Sequence, residues 1–418
     1  MTYQAVVAKI ATFKHPDPEV NRIQCGFVCG SQVIVSLETK DGELGVFFPS
    51  DGQLSEEFAK ANDLIARKDA DGNKVGGYFD DKRRVRGQNF RGVKSEGFWV
   101  PLSYFAFTKF DLTKVKEGDM FDELGGVKIC NKYFTKATLA AIGTKKKIKF
   151  NVDMPEHGET TQFRFIQVKP GSVIHVTEKE HGTSFRYGNV MTYTPYTKLI
   201  DKVMKFLGFI KGDYIEKRAY VLGTRRAILP KATEYDFGGG FYGNGDPYTI
   251  APKQLYGKLM DDEIVYGEVV GYLKTGAALF SQNTEKLPEI KKQYGKDMIF
   301  SYGNVQGSAR LRVYRITQHG RELTHFEMVK RCEQLGVETV KFIESIVFDG
   351  NRDALNARIA SLLEGPSLVD IRHMREGVCL RIENEDGIKI VKAKSWSFGV
   401  LEGYLKDNAE YVDAEEVA

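Results

Sequence analysis

The residues best able to do covalent chemistry are Glu178-Lys179-Glu180-His181-Gly182-Thr183-Ser184. A primary amine that has lost its proton is a nucleophile, so Lys179 can form a covalent intermediate. The β-rich run Val173–Thr177 leads straight into it and sets the amine at a strand end, where it can face a pocket. Gly182, three residues on, lets the backbone pass close to a bound group. Thr183 and Ser184 add hydroxyl donors and acceptors. Taken alone, a lysine and a glycine at this spacing describe an ordinary surface turn.

Other chemistry-bearing segments follow in a fixed order: Gly223-Thr224-Arg225-Arg226, Val265-Tyr266-Gly267-Glu268 and Val313-Tyr314-Arg315-Ile316, then Arg375-Glu376-Gly377-Val378 and Ile390-Val391-Lys392-Ala393-Lys394. Glu376 offers a carboxylate to a hard divalent cation. Lys392 and Lys394 alternate with Ala393, so both point to one face of a strand and can grip phosphate together. A free lysine, with a pKa of roughly 10.4, is protonated at neutral pH. Lys179 therefore needs desolvation or neighbouring cations, and Lys392, Lys394 and a metal ion would supply the second. Without such neighbours, each segment reads blandly: a surface ion pair, a turn, a solvated strand face, a core aromatic.

This series resembles the motifs of the covalent nucleotidyltransferases. Lys-Glu-His-Gly-Thr is similar to the RNA-ligase form of the first motif. Over most of its length the chain resembles ATP-dependent RNA ligases of the nick-sealing class with an N-terminal OB-type domain. The resemblance implies an α+β fold: an N-terminal OB-like β-barrel, then an adenylyltransferase (ATP-grasp-like ligase) domain of antiparallel sheets with flanking helices. It implies ATP with magnesium or manganese, a lysyl-AMP on Lys179, an RNA-adenylate, and joining of 3′-hydroxyl to 5′-phosphate RNA ends, with nicked duplexes as substrate. Lys179, Glu376, Lys392 and Lys394 would be catalytic, with Glu376 the metal ligand. Glu178, Lys179, His181, Gly182, Arg225, Glu268, Tyr314, Lys392 and Lys394 would hold the nucleotide, with Tyr314 stacked on adenine and Glu268 on the ribose. Arg226 rivals Arg225 for the ribose or phosphate contact. His181 stands where other ligases have aspartate, which leaves the number of metal ions open, and Arg315 is given no role.

The elements around these residues follow from patterning. Strands Ala5–Ile10, Ile23–Cys29, Gln32–Leu37 and Leu44–Phe48, joined by glycine turns, predict a small barrel. Ser55 followed by Glu56 and Glu57 opens a helix to Leu64. The stretch from Lys82 to Lys94 is the most basic in the chain, with Arg84, Arg86, Arg91 and Lys94 as candidate phosphate contacts on RNA. As a bland alternative, it is a solvated strand edge. Residues 111–150 read as a connector carrying the Lys145-Lys146-Lys147 run, and His157 as a structural hydrogen-bonder.

Further on, apolar spacing predicts helices over Lys198–Leu207, Gln254–Met260, Thr324–Gln334 and Arg352–Leu363. The run Phe237–Gly245 lacks the Gly-Lys-Ser/Thr ending of a P-loop and reads as a flexible loop over the site. Strands are predicted at Ile264–Val270 and Thr339–Ile343, and a hairpin joins Val378–Ile382 to Ile388–Lys392 across Asn384-Glu385-Asp386-Gly387. The expected division is 1–145, an OB-like RNA-binding domain; 146–400, the catalytic domain; and 401–418, an acidic tail.

Composition bounds this reading loosely. The 418 residues are 42% hydrophobic with a net charge of +4, a globular and only mildly basic chain. The five cysteines are scattered without a C-x-x-C pair, which points to reduced thiols rather than zinc or disulfides. No secretory leader and no run of 18 apolar residues is seen, so a soluble cytoplasmic protein with no membrane contact and no obligate protein partner is expected. DNA ligases and mRNA capping enzymes share the lysine chemistry. Their OB domain normally follows the last lysine motif, and too few residues follow Lys394 for one. An inactive RNA-binding relative is the remaining alternative, and intact chemistry at all motif positions weighs against it.

Overall fold

The computed structural model describes residues 3–68, 74–136, 138–140, 151–157, 160–195, 214–229 and 247–403. The predicted helix over 198–207, the glycine run 237–245, the lysine run 145–147, the division at 145 and most of the acidic tail lie outside them.

Two antiparallel-rich sheets carry the lysine motifs. One is five-stranded, in the order Thr161–Gln162, Gly387–Lys394, Gly377–Asn384, Val173–Glu178, Phe342–Val347. The other is six-stranded and runs Tyr214–Gly223, Thr183–Pro195, Glu263–Gly271, Ala309–Gln318, Arg321–Glu322, with Glu338–Thr339 added parallel to Ala309–Gln318. The chain leaves the first sheet at Glu178 and enters the second at Thr183. Residues 179–182 are therefore the crossing between sheets. Each sheet buries its own apolar layer. Val176, Leu380, Ile382, Val391 and Leu355 pack in one, and Phe185, Val265, Val269, Val313 and Met328 in the other.

Local chemistry sets the element ends. The His325–Leu335 helix starts on a capping box in which Thr324 and Glu327 satisfy each other's backbone donors, and it stops at Gly336 in the left-handed region. Ser55 caps the Glu56–Ala61 helix by accepting from the Phe58 N–H. The predicted hairpin forms, as Gly377–Asn384 paired with Gly387–Lys394, with Asn384 opposite Gly387.

Four expectations change. The 111–150 stretch is not simply a connector: Met120–Phe121 pairs with Ala5–Val6, and Cys130–Lys132 with Gly52–Leu54. These strands are two or three residues long, too short to show a period. The helix expected at Gln254–Met260 runs instead over Ile250–Leu255, since Gly257 at φ +76° ends it. The strand expected at Thr339–Ile343 splits into Glu338–Thr339, in the six-stranded sheet, and Phe342–Val347, in the five-stranded one. The N-terminal strands do form, but as separate sheets. One is ordered Gly97–Pro101, Leu44–Pro49, Ala5–Lys9, Met120–Phe121, and another Ala11–Phe13, Ile23–Val28, Ser31–Ser36. Among the described residues they do not close into a barrel. No described helix is long and apolar enough to cross a membrane.

Candidate active site

Lys179 follows the last residue of the Val173–Glu178 strand, and its backbone N–H donates to the Gly377 carbonyl at 3.0 Å. This ties the crossing to the neighbouring strand, whose preceding residue is Glu376. The Lys179 Nζ lies 2.8 Å from Glu376 Oε1. Lys394, at the far end of the paired strand, reaches the same oxygen at 3.1 Å and Glu402 Oε2 at 3.3 Å. His181 Nδ1 stands 3.5 Å from Glu376 Oε2. Three residues from two stretches far apart in sequence thus meet around one carboxylate that is 1% exposed.

Burial alone would raise the Glu376 pKa. The Lys179 and Lys394 ammonium groups, with a hydrogen bond from His181, more than offset it and hold the group ionised well below the usual carboxylate range. Lys392, buried, points from the same face of its strand as Lys394. Among the described residues there is no cluster of three or more His, Cys, Asp or Glu able to hold a metal alone. A one-carboxylate site still suits magnesium or manganese, which take their remaining ligands from water and phosphate.

The His181 imidazole is walled by Phe280, Phe300 and Phe398 at centroid distances of 4.4, 5.0 and 5.1 Å. Thr183 and Tyr248 share a hydroxyl bond of 2.8 Å, and Tyr248 also donates to the Ser184 carbonyl. Gly182 is tight for a structural reason. A Cβ there would meet the Val269 carbonyl oxygen at 2.6 Å, so glycine is needed where the crossing enters the second sheet.

The second sheet carries the other predicted residues. Glu268 sits on Glu263–Gly271 opposite Ser184 on one side and Arg312 on the other. The register slips between Tyr266 and Gly267, and this leaves Tyr314 at the bulge. The Tyr314 phenol is held well above its ordinary pKa by burial and then by the Glu268 carboxylate. His157 lies 5.5 Å from the Tyr314 ring and 3.2 Å from Arg315 Nη1, a structural hydrogen bond. Arg225 follows Tyr214–Gly223; it is buried, and its carbonyl accepts from the His157 N–H. Arg315 pairs with Glu322 at 2.6 Å.

Some predicted residues stand apart from this group. Glu178 turns its carboxylate to the Leu368 N–H at 2.8 Å, so it anchors a loop. Arg84 is buried and donates to the Gly403 carbonyl at 3.0 Å, with its guanidinium over the Tyr133 ring. Arg91 is exposed and stands 3.7 Å from Asp17 and 3.9 Å from Glu19. Lys94 lies over the Trp396 ring at 5.0 Å, and Arg86 is half-buried.

Sequence reasoning missed Glu180, Tyr302 and Glu402. Glu180 is buried, 3.7 Å from Arg312 Nε, and burial raises its pKa to about 8. Its neighbours come from distant strands, so nothing local signals them.

The family model for RNA ligases matches residues 172–394. No curated protein is similar enough to match. Among solved structures, an apo mutant of the Naegleria gruberi RNA ligase is 16% identical, covering 96% of this chain and 98% of that one, at a TM-score of 0.58. A mutant of the same protein with ATP and Mn gives 16%, 94%, 96% and 0.57, and its form with PPi gives 16%, 95%, 97% and 0.56. These proteins share its fold. With its family match spanning every motif around Lys179, from strand Val173–Glu178 to Lys394, this chain belongs to the RNA ligase family.

Proposed function

We propose that the protein is an ATP-dependent RNA ligase that works through a covalent adenylate on Lys179. The Lys179–Glu376–Lys394 arrangement carries this reading. It is supported by family membership and by the Naegleria gruberi ligase, which is known with ATP and Mn, with AMP and Mn, and with PPi. AMP and pyrophosphate are the two halves of ATP cleaved between its α- and β-phosphates.

Lys179, having lost a proton, attacks the α-phosphorus. The N–P bond forms, the α–β phosphoanhydride opens, and pyrophosphate leaves. AMP then passes to a 5′-phosphate RNA end, and a 3′-hydroxyl displaces it. Lys394, 3.1 Å from Glu376, and Lys392 on the same strand face would steady the charge that spreads over phosphate oxygens in the transition state. Glu376 would hold a divalent cation, whose charge supports both the deprotonated lysine and the triphosphate. Tyr314, Glu268 and Arg225 take adenine, ribose and phosphate. Nicked duplex RNA is the proposed substrate. Residues 1–145 form an OB-like unit that presents Arg86, Arg91 and Lys94 to it, 146–400 form the catalytic unit, and 401–418 the tail.

Incubation with α-labelled ATP or GTP and magnesium, then a denaturing gel, tests this. Label from ATP that is lost in Lys179→Ala is expected. Label from GTP alone would point to capping chemistry, and none from either to a binding protein. A sealing assay with RNA or DNA on each side of a nick then fixes the substrate.

A further inference from the structure

The crossing that carries Lys179 is only four residues long, yet its backbone must hold the amine on line with a phosphorus. Two N–H groups tie it down. That of Lys179 goes to the Gly377 carbonyl. That of His181 goes to the hydroxyl of Tyr302, at 2.5 Å. The first bond extends the strand pairing and needs no particular side chain. The second depends entirely on one phenol.

Tyr302 is placed with care. Its side chain is 1% exposed and its φ is +47°, a left-handed conformation that costs a bulky residue on the order of 1–2 kcal/mol. Such a conformation persists only where the surroundings enforce it. Here they do. On one side, Ser301 Oγ donates to Asp370 Oδ2 at 2.5 Å. On the other, the Gly303 N–H donates to the same oxygen at 3.0 Å. The Tyr302 N–H reaches His373 Nε2 at 3.4 Å, and its ring meets the His373 ring edge-on at 4.5 Å. The 367–373 loop that supplies these partners is itself fastened to the motif, because Glu178 accepts from the Leu368 N–H. The two ends of the crossing are thus clasped to one pair of loops. The phenol also keeps its proton: burial first, then the Glu180 and Glu376 carboxylates, raise its pKa well above the usual value.

We propose that Tyr302 is a positioning residue for the ligase reaction, its hydroxyl fixing the His181 backbone so that the Lys179 amine is held for attack on the α-phosphorus. The inference rests on the lysyl-adenylate reading above. It makes a separable claim: the hydroxyl serves the step in which Lys179 is the nucleophile, and serves less the sealing of an end that already carries AMP.

Tyr302→Phe keeps the ring, its packing and its backbone conformation, and removes only the hydroxyl. Single-turnover lysyl-AMP formation at saturating ATP is expected to fall about tenfold, the scale of a small misplacement of a reacting group. The apparent ATP affinity, the melting temperature and the rate of sealing a pre-adenylated nick should stay within about twofold or about 2 °C of the parent. Equal lysyl-AMP rates in the variant and the parent would overturn the proposal, as would a parallel fall in both rates together with melting temperature. A parent protein that takes no label from ATP would instead sink the adenylate reading and carry this one with it.

Discussion

The chain holds two groups of cations, and they are built differently. Around Glu376, Lys179 and Lys394 are brought within 2.8 and 3.1 Å of one buried oxygen by strands roughly two hundred residues apart in sequence. In the N-terminal region, Arg84, Arg86, Arg91 and Lys94 come from one short stretch, yet they diverge. Arg84 is used internally, Arg91 stands near two carboxylates, and Lys94 lies over an indole. A cluster assembled from distant strands is fixed by the whole fold and can be desolvated. A run of neighbours along the chain alternates faces and remains mostly wet, so each charge is worth less. Dense charge in sequence therefore does not mean dense charge in space.

The sharpest way to break this comparison is to remove the carboxylate. Glu376→Gln leaves two half-buried ammonium groups facing an uncharged amide. Lysyl-AMP formation is expected to fall on the order of 10²–10³-fold. Thermal unfolding should show a loss of about 3 kcal/mol, since Lys179 loses this carboxylate and Lys394 keeps Glu402 without it. A Glu376→Gln protein that adenylates at a near-normal rate would remove the centre of the argument.

Gly182→Ala separates packing from ligand contact. The added Cβ would press on the Val269 carbonyl, so a stability loss of about 1–3 kcal/mol is expected even without nucleotide. If unfolding is unchanged and only ATP binding suffers, the glycine serves the ligand and not the joint between sheets.

What the sequence could show divides along the same line. Lys179 at a strand end, the Lys392/Lys394 alternation and the hairpin around Asn384 and Gly387 are local patterns, and their period survives in the fold. So does the Thr324/Glu327 capping box. Tyr302 and Glu402 carry no such pattern, because one sits on a loop and the other in a seven-residue helix, and only tertiary packing brings them to the site. Glu178 enters only through the family resemblance, and what no local pattern shows is that its carboxylate accepts from the Leu368 N–H. The two-residue strands within 111–132 had no room to display a period.

The N-terminal group gives a smaller and different effect. Arg86→Ala and Lys94→Ala should each weaken RNA binding severalfold and lower the slope of log affinity against log salt by about 1. Lysyl-AMP formation should not change in Arg86→Ala. Lys94 is the sharper probe, because Trp396 opens the helix that also holds Glu402, a partner of Lys394. If Lys94→Ala slows adenylation too, the two cation groups are coupled through that helix and the comparison drawn above is too clean.

The smallest expected effect comes from a buried histidine pair at the five-stranded sheet. His175 and His325 stack there at 4.4 Å. Glu383 lies 3.7 Å from His175 Nε2 and accepts from the His325 N–H, and Arg381 bridges Glu383 and Glu322 nearby. Burial, then the charges of His175 and Arg381, lowers the His325 pKa to about 4, although Glu383 opposes this. A histidine whose folded pKa is depressed favours the unfolded chain once protonated. Its contribution is therefore complete above roughly pH 6.5 and is lost as the pH falls toward its folded value. Between about pH 7 and about pH 5 the parent should lose about 1 kcal/mol more than His325→Phe, which keeps a ring in the stack but cannot take a proton. Urea unfolding of both proteins at the two pH values measures the difference. Identical losses would mean that the stacked pair is open enough to water to charge freely and places no demand on protonation.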